Sequence, residues 1–117
     1  MATNAVQILL SFPTAAATNL GTSQYTAVSI DNTGNIVLAT AAAGADGILQ
    51  NNPTGGDTAA ISIFGVSQAL LGGTVTNIGD LLEVGTAGAL VEHATGVVVA
   101  KALQTGASGN VISVLQQ

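Results

Sequence analysis

Glycine-bearing turns recur about every 8 to 12 residues along this chain, and the stretches between them are short apolar runs, many alternating or β-branched. That rhythm excludes helices of ordinary length. It predicts an all-β, single-domain fold, a small sandwich or barrel-like structure. The clearest unit runs from Gly47 to Phe64. There Gly47 to Gln50 and Thr58 to Phe64 read as two strands joined by the polar turn Asn51 to Asp57, which holds Pro53 and the pair Gly55-Gly56. Alternation across the second strand places Ala59, Ile61 and Ile63 on one face and Thr58 and Ser62 on the other, and Gly65 is expected to end it.

The same reading orders the rest of the chain. Residues 5–12 set Val6, Ile8, Leu10 and Phe12 on one face of a half-buried strand that Pro13 ends, since its missing N–H cannot extend a ladder. Residues 14–23 are Ala, Thr, Asn, Gly and Ser, the composition of a loop or extended arm. The chain thus divides into an N-terminal strand and arm, residues 1–23, and a β domain, residues 24–117. The first strand either reaches a neighbouring subunit or forms an edge of its own sheet. On the first alternative Val6, Ile8, Leu10 and Phe12 are the candidate interface residues.

Tyr25 to Ile30 and Ile36 to Ala39 flank the turn Asp31 to Asn35, a hairpin signal. The alanine run 39–45 is bounded by glycines and too short to hold a helix, so it reads as loop. Ser67 to Leu71, Asp80 to Val84, Ala89 to His93 and Asn110 to Leu115 follow as strands. Val97 to Leu103, apolar on nearly every position, is expected to be a central strand covered from both sides.

Charge narrows the function. Only 6% of the 117 residues are charged while 48% are apolar, and a single Lys faces six carboxylates for a net charge of −5. Nucleic-acid binding requires Lys and Arg in numbers, and this chain has one such residue. Anionic membrane surfaces are excluded on the same ground, and no apolar run approaches the roughly 20 residues that span a bilayer. The first residues lack a basic segment, so no secretory signal is expected. Without cysteine there are no disulfide staples. So small and so sparsely charged a chain is expected to gain stability by self-association or by lying on a larger partner.

No residue pattern carries catalysis. His93 is the one imidazole, and its neighbour Glu92 points to the opposite face of a strand. No nucleophile elbow surrounds any serine. Asp80 and Glu83, three apart, are likewise sent to opposite faces. Asp80 after Gly79 reads as a turn residue accepting local backbone N–H groups. No Asp-x-Asp-x-Asp loop offers a Ca²⁺ cage, and the glycines form neither a dinucleotide nor a P-loop pattern. No enzyme activity, cofactor or metal is expected. The residues alone lead to an all-β, self-associating structural module. A small-ligand or carbohydrate module is the rival reading, weakened by having three aromatics in all, Phe12, Tyr25 and Phe64.

In order along the chain, Gly47-Ile48-Leu49-Gln50-Asn51-Asn52-Pro53, a glycine turn and Ala59-Ala60-Ile61-Ser62-Ile63 are followed by Gly65-Val66-Ser67 and Gly79-Asp80-Leu81-Leu82. Gly88, Gly96-Val97-Val98-Val99-Ala100 and Val111-Ile112-Ser113-Val114-Leu115 complete the set. This series resembles the small capsid decoration, or cement, proteins of tailed bacteriophages. The resemblance implies a compact β fold, often trimeric on local threefolds, made in the host cytoplasm and bound to the outside of the phage head. Its partner would be the major capsid protein, its role to hold the shell against genome pressure, and it has no catalytic residues to carry over. Another phage structural role, in a tail tube or fibre, is the alternative. The chain departs from the family in its scarcity of charge.

Overall fold

A computed structural model describes residues 7–10 (backbone), 16 and 19–117. These form a nine-stranded antiparallel sheet with no α-helix. The strands are β1 (Gln7–Leu10), β2 (Ala27–Ile30), β3 (Ile36–Leu38), β4 (Gly47–Leu49) and β5 (Ile61–Leu70). They continue with β6 (Leu81–Val84), β7 (Leu90–Glu92), β8 (Ala100–Ala102) and β9 (Val111–Gln116). Their order across the sheet is β3-β2-β4-β5-β9-β8-β6-β7, with β1 pairing β5 off this path.

The long strand β5 joins two halves. Its first residues pair with β4 and with β1, and Val66 to Leu70 pair with β9. Gly65, expected to end the strand, instead sits inside it, buried, with φ +91°. Glycine takes that conformation without a steric penalty, so the strand changes direction there rather than stopping. Beyond it the sheet curls round through β9, β8, β6 and β7. A parallel bridge from Leu90 to Leu71, with Gly72 N–H donating to Leu90 O at 2.8 Å, brings β7 back to the end of β5. The barrel-like expectation is met by this curl. The bridge also covers the edge of β7, and a bridge from Ala16 to Ile36 covers β3, so neither outer strand offers a long bare edge.

The apolar core lies in two layers. Leu71, Leu82, Val84, Leu90, Ile112 and Val114 fill the curl, and Ala27 and Ile48 of the first half pack against them. The opposite face of that half (Val28, Ile36, Leu49, Ile61) is covered by Ala16, Leu20 and Ala59. Ala16 and Leu20 fall in the stretch read as loop or arm. They are irregular, but they are also core, tied down by Ala16 N–H to Asp57 O at 2.9 Å and Leu20 N–H to Pro53 O at 2.8 Å.

Burial on β5 departs from simple alternation. Ser62 is fully buried while Ile63, placed by sequence beside Ile61, is 39% exposed. Sheet layers cover both faces at this point, so Ser62 has no solvent side. Its hydroxyl bonds Gln116 Oε1 at 2.6 Å, and its carbonyl accepts from Gln116 Nε2 at 2.7 Å. The β1–β5 register shifts between Ile8 (opposite Phe64) and Leu9 (opposite Ser62), which leaves Ile63 without a partner on β1.

Val97 to Leu103 also differs from expectation. Only Ala100 to Ala102 is strand, central between β6 and β9, and Val97 is 52% exposed. The alanines face the core while Lys101 faces outward, so the strand is covered on one side. The hairpin turn at 31–35 follows its residue chemistry. Gly34 has φ +86°, and Asp31 Oδ1 accepts the N–H groups of Thr33 and Asn35, each at 2.9 Å.

Candidate functional site

The outer face of the curled half presents partly exposed apolar side chains on regular structure, as do Ile63 and Phe64 of β5 at 39% and 58% exposure. Residues directly opposite on neighbouring strands share a face. Register therefore lines up Val66 of β5, Leu115 of β9, Lys101 of β8 and Leu81 of β6 in one row across the sheet. A parallel row holds Leu70 opposite Val111. Leu115, Leu81 and Val111 are 37%, 41% and 42% exposed, whereas their sequence neighbours Val114, Leu82 and Ile112 point into the core. Lys101 stands half-buried between Leu115 and Leu81, its aliphatic stem on apolar surface in the usual way of long cations.

At the β6–β7 end of this face lies the most polar cluster. Glu83, only 7% exposed, accepts the N–H groups of Ala94 at 2.6 Å and Gly96 at 2.9 Å on Oε1. The same oxygen lies 3.1 Å from Nδ1 of His93. Donation from Ala94 and then Gly96 holds the Glu83 carboxyl below the usual glutamate range, and the neighbouring imidazole adds less. The antiparallel register that sets Leu82 opposite Glu92 and Glu83 opposite Val91 makes His93 and Glu83 diagonal neighbours. His93 lies just beyond β7 and Asp80 just before β6, so strand alternation does not by itself fix their side chains, and Glu92 and His93 bound one depression. Sequence reasoning missed the pair Glu83–His93, because only the hairpin register reveals it. With its bonding oxygen directed at two backbone donors, this carboxylate clamps the 94–97 loop.

The clamp has a pH signature. A folded-state value lowered by hydrogen bonds contributes stability that is complete above the unfolded value, about 4.3 for Glu. It is lost as pH falls through the lower folded value. Glu83→Gln is expected to melt several degrees below wild type at pH 7. The gap narrows as the solution is acidified below about pH 4.3, which thermal melts from pH 7 to 3 would read. A gap constant across that range would refute the clamp.

Two concavities differ widely in size, about 30 Å³ and about 390 Å³. The smaller lies among Ala27, Ile48, Ile63, Val99 and Gln116, room for no more than a water or two. The other is an open depression bounded by Thr76, Asp80, Leu81, Glu92 and His93. Its acids are tied to nearby backbone: Asp80 Oδ2 accepts Asn77 N–H of its own turn at 3.2 Å, as the sequence predicted, and Glu92 Oε2 of β7 accepts the distant Thr76 N–H at 3.4 Å.

No protein-family model and no curated protein sequence matches this chain. A solved structure does. It is the head fiber gp8.5 N base in bacteriophage phi29, with a TM-score of 0.75 at 19% identity. The alignment covers 94% of this chain and 95% of that one, so the shared unit is the whole sheet arrangement rather than one common hairpin. At that identity the likeness establishes the fold.

Of the interface residues expected from sequence, Ile8 and Leu10 lie in β1, opposite Phe64 and Ile61 of the chain's own β5. Val6 and Phe12 lie outside the described residues. The outer-face residues Leu81, Lys101, Val111 and Leu115 were not singled out, because in Leu81-Leu82 and Val114-Leu115 both members of the pair are apolar. Alternation alone does not say which of each pair faces out.

Proposed function

We propose that this chain is a virion structural protein of a tailed bacteriophage, binding the outer surface of the head as a decoration protein. The observation that carries this reading is the two-way fold match to the base of a phage head fiber. Charge on only 6% of residues and an open apolar sheet face support it, since such a surface suits a chain that works against a larger scaffold. Many weak contacts repeated by capsid symmetry bind cooperatively where one would not. In this reading the partner is the major capsid protein, the assembly a homotrimer, and the role mechanical rather than enzymatic.

The same match favours a second reading, in which the domain is the foot of a fiber rather than a cap on the shell. Purified protein mixed with expanded empty heads of the encoding phage is expected to co-sediment with them and to raise their disruption temperature. Images of virions then separate the readings, low knobs marking decoration and projecting filaments marking a fiber foot. Heads that stay bare at saturating protein would exclude both.

A further inference from the structure

Resting on the head-surface reading, we propose that the outer face of β9, β8 and β6, bearing Leu81, Lys101, Val111 and Leu115, is the surface that lies on the shell. We further propose that the shell presents a carboxylate within an apolar patch opposite Lys101.

Charge complementarity identifies the occupant. Lys101 is the only Lys or Arg in the chain, and it stands mid-face between two exposed leucines rather than at a rim. The one ion-pair contact among the described residues is His93 with Glu83, so Lys101 has no acidic partner there. All six acids lie within residues 19–117, and each accepts hydrogen bonds from its own chain. Asp31 bonds Thr33 and Asn35, Asp46 bonds Ile30, and Asp57 bonds Thr54. Asp80 bonds Asn77, Glu83 bonds Ala94 and Gly96, and Glu92 bonds Thr76. Each acid is thus tied to its own chain through one carboxylate oxygen, while the one strong cation faces out with no acidic partner among the described residues.

A second copy is a poor occupant of this face. A two-fold dimer through it would bring two Lys101 ammoniums together near the axis. A head-to-tail contact would have to draw on an acid already held by backbone of its own chain, with less freedom to turn toward Lys101. A different protein with an unengaged carboxylate among apolar residues meets both requirements.

The test uses the full chain with Lys101→Gln, Lys101→Glu and Leu115→Ser, all at solvent-facing positions, and wild type as reference. Affinity for expanded empty heads is measured by co-sedimentation at two salt concentrations, with thermal melts and light scattering alongside. Melting points of the Lys101 variants are expected to stay within a few degrees of wild type and that of Leu115→Ser to fall by several degrees, with all three folded at the binding temperature. Lys101→Glu should weaken head binding about tenfold or more, and Leu115→Ser should weaken it measurably. Wild-type affinity should fall with salt while that of Lys101→Gln changes less. Wild type binding heads with all three variants equal to it would overturn the assignment of this face and leave the head-surface reading standing. Wild type failing to bind heads would overturn both. Wild-type oligomers that Leu115→Ser dissolves, with head binding unchanged, would make a second copy the occupant and also overturn the proposal.

Discussion

Gly88→Ala is expected to destabilise the fold by about 2–5 kcal/mol, a large share of the roughly 5–15 kcal/mol that holds a domain together. Two costs combine. Gly88 has φ +80°, a conformation that costs an L-residue about 1–2 kcal/mol. An added Cβ would also stand 2.8 Å from Ala27 O and 3.1 Å from Thr26 Cβ. Ala27 O is backbone of β2, so the clash cannot be relieved by turning a side chain, and such overpacking costs about 1–3 kcal/mol. Gly88 closes the short 3₁₀ turn Thr86–Gly88 between β6 and β7, and this contact is where that turn meets the other half of the sheet. Gly34→Ala is the control. Its φ is +86° but nothing lies within 4 Å of a new Cβ, so only the conformational cost of about 1–2 kcal/mol applies. Urea midpoints of the two variants should therefore separate strain from contact, and equal losses would refute the contact at Gly88.

Much of this architecture was legible because turn chemistry is local. Gly34, Gly56 and Gly79, all placed in turns by sequence, take positive φ, and β2, β3, β4, β6 and β7 lie within the runs read as strands. Misreadings came where tertiary cover overrides local pattern. Gly65 ends a strand in most contexts, yet here it bends one strand so that it serves both halves. Ser62 reads as an outward residue until Gln116, 54 positions away, satisfies its polar atoms in the interior. Val97 looks like core, but Val97 N–H donates to Ala42 O at 3.0 Å and the residue rides on a loop clamped by Glu83. The candidate surface was harder still. It consists of residues whose type matches the core, distinguished only by which way the sheet curls, and curl is a property of the complete strand order. Lys101 was visible as the sole cation, but its position between Leu81 and Leu115 emerges only from pairing across three strands.

The adjacent pair Leu81 and Leu82 turns that distinction into opposite expected results. Leu82 is fully buried inside the curl, opposite Ala100, with the other small residues Ala69 and Ala102 in the same cluster. Removing it leaves a void that alanines cannot fill, so Leu82→Ala is expected to cost about 2–5 kcal/mol and to shift the denaturation midpoint strongly. Leu81, 41% exposed on the outer face, has little such packing to lose. Leu81→Ala should cost less than about 1 kcal/mol, within the range of ordinary surface changes. Binding to expanded heads should order the two differently. At a temperature where both variants are fully folded, Leu82→Ala retains its outer face and binds like wild type, while Leu81→Ala has lost apolar contact beside Lys101 and binds more weakly. Comparable instability in both variants would show the strand to be flipped from its assigned faces. Stability as expected with no binding difference would show instead that the shell, if it holds this chain, holds it by another surface.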